Sequence, residues 1–198
     1  MRALILVDCQ LDFLMTGALP VAGAEELSPL LPRLFPAFDK VVAVRQWHPA
    51  NHISFAANHP WRKPGQIMKI DGRPQPLHIM HAVQGSFGAD LFPSIQKSGL
   101  HYTVNTGSEA DLNHHSGFYD QDAYDLGLKD WLLKHQIQQV YLAGLDPEGV
   151  LLQTALDGPV LGFETYWIRD ACFGAIVDSS VFESKSIQEI ESQSLLNP

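Results

Sequence analysis

The chain has little that would hold it together covalently and little that would carry it to a charged or lipid surface. It contains only two cysteines, Cys9 and Cys172, in 198 residues, so a disulfide framework is excluded and a reducing compartment is the expected setting. Positive charge is scarce. Thirteen Lys and Arg stand against twenty-two Asp and Glu, a net charge of −9, which argues against a nucleic-acid partner or an anionic membrane surface. No apolar run reaches membrane-spanning length. The opening Met1–Val7 run is too short for a secretory leader and meets a charge at Asp8, so a cytoplasmic protein is expected. No low-complexity tract or internal repeat interrupts the chain. Its 45% apolar and 18% charged composition suits one well-buried domain spanning 1–198.

What is present is a series of short apolar, β-branched runs: Ala3–Val7, Val41–Val44, Tyr102–Val104, Val140–Ala143 and Thr165–Ile168. Runs this apolar suit strands buried on both faces. Helical patterns lie between them. Glu25–Phe35 is weakened by Pro29 and Pro32. Asp122–His135 offers Leu126, Leu128, Trp131 and Leu132 as a buried face. Val150–Leu156 is short and very apolar, and Ser180–Ser194 closes the chain. The alternation predicts an α/β fold, a three-layer α-β-α sandwich with a mainly parallel central sheet. A small hairpin is expected over 66–79, turning at Asp71-Gly72.

Sites in such sheets form where strands end. Asp8, Gln46-Trp47-His48, Asn105-Thr106, Gly144 through Pro147, and Asp170 follow the predicted strands. Asp8 can be a general base, against the simpler and favoured reading of a helix cap or loop hydrogen-bond acceptor. His48 and His52, four apart, and His81 are a candidate zinc set, against the simpler reading of solvated loop histidines. His114 and His115 read mainly as solvated. The turn from Gly144 to Val150 joins a strand to a helix, where free amides make an anion or oxyanion site. The residue offered there, Val150, has no nucleophilic chemistry.

Several segments occur in a specific order: Leu6 through Phe13, Gln46 through Ala57, Lys63-Pro64-Gly65, Ile70-Asp71-Gly72 and His81 through Gly85. Ser116 through Asp120, Ala143-Gly144-Leu145, Thr154-Ala155-Leu156 and Asp170-Ala171 continue the pattern. Together they resemble the nicotinamidase/pyrazinamidase branch of the isochorismatase-like cysteine hydrolases. The resemblance implies hydrolysis of nicotinamide to nicotinate and ammonia by a cysteine thiolate, with an aspartate moving protons, a lysine supporting charge, and a metal held by an aspartate and three histidines. It places the proton-handling aspartate at Asp8, the metal histidines at His48, His52 and His81, and ring-facing or wall positions at Phe13, His78, His115, Leu145 and Asp146. It also exposes departures. The metal aspartate falls on Gln46, the lysine on Thr106 and the cysteine on Val150. The usual Ala-Thr-Asp of the turn is Asp146-Pro147-Glu148.

The expectation is therefore a family member that has lost its cysteine amidase activity. It would keep a pocket for a small aromatic or carboxylate ligand, and a zinc or other divalent-metal site weakened by Gln46. No organic cofactor is expected, and assembly into a homo-oligomer is left open. Two alternatives keep an enzyme: a metal-dependent hydrolase using the three histidines, or a nicotinamidase whose nucleophile is the hydroxyl of Thr106 or Ser108. Cys9 is expected to point to the opposite face of its strand, away from Val150, and Cys172 to sit beyond the fifth strand.

Overall fold

The structure is a computed structural model and describes residues 1–96, 99–146, 149–174 and 178–196. The elements run β1 (Arg2–Val7), α1 (Ala24–Leu34), β2 (Lys40–Gln46), β3 (Ile67–Ile70), β4 (Arg73–Pro76), α2 (Pro93–Gln96), β5 (Tyr102–Thr106), β6 (Tyr119–Asp120) and β7 (Tyr124–Asp125). They continue with α3 (Leu128–Lys134), β8 (Gln139–Leu145), α4 (Val150–Val160), β9 (Glu164–Phe173), α5 (Ser179–Ser184), β10 (Ile187–Ile190) and α6 (Gln193–Leu196).

Six strands form one sheet in the order β10-β9-β8-β1-β2-β5, and every pairing is parallel. The chain builds outward from β1 to β2 and β5, then returns to the other side of β1 for β8, β9 and β10. The reversal point lies between β1 and β8, so the residues after those strands, Asp8 and Asp146, flank the crevice where such sheets bind ligands. Alternation within β1 divides the core. Leu4 and Leu6 pack with α1 on one face, through Leu27, Leu31 and Leu34. Ala3, Ile5 and Val7 pack with Val150, Leu151 and Ala155 of α4 on the other.

All five predicted strands are present, each longer than its apolar run. The 66–79 hairpin forms as β3 and β4 around Asp71-Gly72. Pro29 and Pro32 lie inside α1, which still buries Ala24, Leu27, Leu31 and Leu34.

Three expectations fail locally. The helix expected over Asp122–His135 begins only at Leu128. Asp122 and Ala123 take left-handed φ of 59° each, and Gly127 at φ 78° starts the helix. The stretch before it pairs β6 with β7 instead. Ser180–Ser194 is not one helix. It breaks after Ser184, Ser186 turns at φ 59°, and Ile187–Ile190 joins the sheet edge beside β9. Cys172 lies within β9 rather than beyond it. Gly144 is the one position where the sheet demands glycine. Its φ is 147°, and a Cβ there would stand 2.1 Å from the Val7 carbonyl oxygen.

Candidate active site

Asp8 follows β1 with φ 52°, a left-handed conformation that Asp tolerates better than most residues. The change of hand at the strand end leaves its carboxyl fully buried, beside the end of β2. Gln46 is the last residue of β2, and its backbone is clamped at both polar groups by one side chain. Gln46 N–H donates to Gln10 Oε1 at 2.9 Å, and Gln10 Nε2 donates to the Gln46 carbonyl at 2.8 Å and the Ala89 carbonyl at 3.0 Å. Asp12 fixes the opposite wall, accepting the Ala82 N–H at 2.7 Å so that Ala82 can hold φ 46° next to His81.

The three predicted histidines do come together, and they are buried rather than solvated: His48 and His52 at 0% exposure, His81 at 1%. The His48 ring lies 4.4 Å from His52 and 5.3 Å from His81, centroid to centroid, with Phe55 edge-on to His48 at 5.5 Å. The Phe13 ring lies 5.9 Å from that of His81, and the His78 ring lies 6.1 Å from that of His81. His114 also joins the cluster, 5.6 Å from His48. His115 does not. It is exposed and lines a separate cavity of about 250 Å³ with Tyr119 and Asp120.

At the centre stands the Gln46 carboxamide. Its Oε1 is 3.0 Å from His48 Nε2 and 2.8 Å from His81 Nε2, and its Nε2 is 2.8 Å from Asp8 Oδ2. The far nitrogens face carbonyls, His48 Nδ1 at 2.9 Å from Gly107 O and His81 Nδ1 at 2.8 Å from Ile79 O. A nitrogen facing a carbonyl must donate, so each ring carries its hydrogen on Nδ1. Burial, reinforced by His114, His52 and His81, holds His48 well below the ordinary imidazole range and therefore neutral. Gln46 Nε2 donates to Asp8 Oδ2, so the Asp8 carboxyl is an acceptor here. One carboxamide thereby links both imidazoles to the aspartate.

The residues as arranged do not fit a divalent cation. Two imidazole nitrogens converge on the Gln46 carboxamide. The third histidine is engaged at both nitrogens, Nδ1 with Ser54 Oγ at 2.8 Å and Nε2 with the Leu112 carbonyl at 3.0 Å. Among the described residues no group of three or more His, Cys, Asp or Glu is placed to hold a metal.

At the strand-to-helix turn, Val150 is the first residue of α4, fully buried in the apolar cluster with Val7, Val44 and Phe118. Pro147 and Glu148 lie outside the described residues. The amides expected to form an anion site are covered by the protein itself. Asp146 accepts from Leu151 N–H at 3.0 Å and Leu152 N–H at 3.4 Å. Burial raises the Asp146 carboxyl above its usual range, and these amides and that of Gly149 oppose the shift. Leu145 packs in the opposite apolar layer, with α1. Thr106, buried at the end of β5, donates its hydroxyl to the Arg45 carbonyl at 3.3 Å rather than to a carboxylate.

Neither cysteine compensates. Cys9 lies in the α1-side cluster with its Sγ toward the Val7 carbonyl at 3.5 Å, on the face away from Val150 as expected. Cys172 directs its Sγ to the Leu142 carbonyl at 3.4 Å. Burial, with Asp8 adding to it at Cys9 and Cys9 and Asp146 at Cys172, pushes both thiols well above their ordinary range, away from the reactive thiolate.

Spacing alone missed Gln10, Asp12, Ser54 and Asp120. Asp120 accepts the Gly107 N–H at 2.9 Å, on the same residue whose carbonyl receives His48. Its Oδ1 is buried with no hydrogen-bond partner among the described residues. Burial, with Glu109 adding to it, raises this carboxyl to about 7.

A parallel sheet with its polar cluster at the strand ends, beside the β1–β8 reversal, defines a three-layer α-β-α protein with its candidate site at the topological switch point. Residues 2–191 match the isochorismatase domain family. The chain is 32% identical to a nicotinamidase of Acinetobacter baylyi, covering 98% of this chain and 94% of the relative. It is 35% identical to a nicotinamidase of Escherichia coli, covering 87% and 83%. Its fold is similar to those of the Acinetobacter baumanii nicotinamidase pyrazinamidase (TM-score 0.88, 32% identity, 98% of each chain) and a yeast nicotinamidase bound to the inhibitor nicotinaldehyde (0.86, 26%, 96% and 100%). A pyrazinamidase of Pyrococcus horikoshii in complex with zinc is also similar (0.73, 29%, 96% and 98%). The chain belongs to the isochorismatase domain family, on its nicotinamidase branch.

Proposed function

We propose that this chain keeps the nicotinamidase fold as a ligand-holding domain and does not hydrolyse nicotinamide through a cysteine. The observation that carries the reading is Val150. At the first position of α4, where the resemblance places the nucleophile, stands a fully buried isopropyl group packed against other apolar side chains. Valine has no lone pair to attack a carbonyl, and loss of a hydrolase's nucleophile costs about six decades in rate. Cys9 lies on the α1-side face, Cys172 packs against the α4-side cluster with its Sγ turned to the Leu142 carbonyl, and burial holds both thiols protonated. The Thr106 hydroxyl is committed to a backbone carbonyl, and Asp8 Oδ2 is engaged by the Gln46 amide rather than by a hydroxyl or thiol.

The ligand that suits this site is a small, neutral aromatic molecule. Phe13, His78 and the imidazole cluster offer ring faces. A carboxylate at the head of α4 would meet Asp146, which already takes the amides that would receive it. Incubating purified protein with nicotinamide and following ammonia tests the reading. No release above the uncatalysed background is expected. Sustained release that Asp8→Ala abolishes would refute it.

A further inference from the structure

We propose that the Gln46 carboxamide takes the place of a metal ion in this chain: it holds His48, His81 and Asp8 together by hydrogen bonds and excludes a divalent cation from the position between them. The claim rests on side-chain placement and is independent of whether the chain hydrolyses an amide.

A cation at this position needs the Nε2 lone pairs of His48 and His81, and zinc–imidazole bonds are about 2.0–2.1 Å long. Both nitrogens are already directed at one carboxamide end, at 3.0 and 2.8 Å, which is hydrogen-bond spacing to the same point in space. The other end of that amide reaches Asp8 at 2.8 Å. One neutral group thus joins side chains from the end of β1, the end of β2 and the loop after β4. Gln10 fixes the backbone that carries this side chain, through its N–H and carbonyl, and is itself anchored to Ala89, so the carboxamide can leave only by giving up its contacts to Asp8, His48 and His81.

The remaining ligand has also turned to protein partners. Ser54 and the Leu112 carbonyl take the two nitrogens of His52. The Nδ1 contacts of His48 and His81 to backbone carbonyls are the kind that orient metal-bound imidazoles. Here the same orienting contacts serve an amide. The substitution also removes the negative charge that a carboxylate would give a cation in a buried site.

The test is zinc titration of untagged protein, stripped with chelator, with bound metal counted after desalting and melting followed with and without zinc. The wild type is expected to retain no stoichiometric zinc and to melt at the same temperature in zinc and in chelator. One equivalent of zinc that His48→Ala or His81→Ala abolishes would overturn the proposal. Gln46→Asp, which restores a carboxylate and shortens the arm, is expected to bind one equivalent at least about 100-fold more tightly than the wild type, since even the loss of an orienting partner changes metal affinity 10–100-fold. Should Gln46→Asp not fold without metal, Gln46→Ser opens the same space without adding charge and is expected to bind at least about tenfold more tightly than the wild type. A folded variant that takes zinc no better than the wild type would overturn the proposal equally.

Discussion

Asp120→Asn should change how stability depends on pH, and the structure fixes the sign. Asp120 is 2% exposed. One oxygen accepts the Gly107 amide and the other is buried without a hydrogen-bond partner among the described residues. Burial, with Glu109 adding to it, raises the folded-state value to about 7 from 3.8. A raised carboxyl binds its proton more tightly in the folded state than in the unfolded chain. Between about pH 4 and 7 the unfolded chain therefore binds fewer protons than the native one, and stability falls as pH rises through that window. The gap is about three pH units at 1.36 kcal/mol each, so the loss is at most about 4 kcal/mol. Asparagine keeps an acceptor for Gly107 and has no proton to lose. Urea denaturation at pH 4.5, 6 and 8 reads the effect. The wild type is expected to weaken relative to Asp120→Asn as pH rises, with most of the change complete by pH 8. A difference between the two proteins that stays flat, or that moves the other way, would refute the assignment of a buried, protonated Asp120.

Three further outcomes follow from the site. Gln10→Ala removes three buried hydrogen bonds around Gln46 and Ala89, so a loss of about 3 kcal/mol is expected, read as a fall in melting temperature of about 6–12 °C. Asp146→Ala strips the carboxyl from the head of α4 and should cost about 0.5–2 kcal/mol by urea denaturation, with anion affinity at that turn rising as the amides are uncovered. Gly144→Ala should prevent folding, seen as insoluble expression, because its Cβ would stand 2.1 Å from the Val7 carbonyl oxygen.

The strands of the sheet centre were legible because a parallel strand buried on both faces must be written in apolar, β-branched residues, as Ala3–Val7 and Val140–Ala143 are. β10 was not. Its sequence, Ile187-Gln188-Glu189-Ile190, is that of a sheet edge with half its side chains in water, and inside a longer polar stretch it reads as helix. The early part of Asp122–His135 has helical spacing, yet two residues there take left-handed backbone, which no periodicity encodes. The site was legible as a set of positions, since strand ends must carry it. His48, His52, His81 and Asp8 do gather there. How their atoms pair was hidden. That Gln46 lies between two imidazoles depends on its rotamer and on the Gln10 clamp, neither of which spacing reveals. Asp146 was read as a pocket wall because it stands in the right turn. The structure uses it to cover the free amides of Leu151 and Leu152 at the head of α4, three residues ahead of the N-cap Gly149.

The central claim, that an apolar side chain has replaced the nucleophile, is tested most directly by counting nicotinate formed per protein molecule over hours at millimolar nicotinamide, for the wild type beside Asp8→Ala. The account expects the two proteins to be indistinguishable and neither to complete repeated turnovers. Many turnovers by the wild type and none by Asp8→Ala would contradict it.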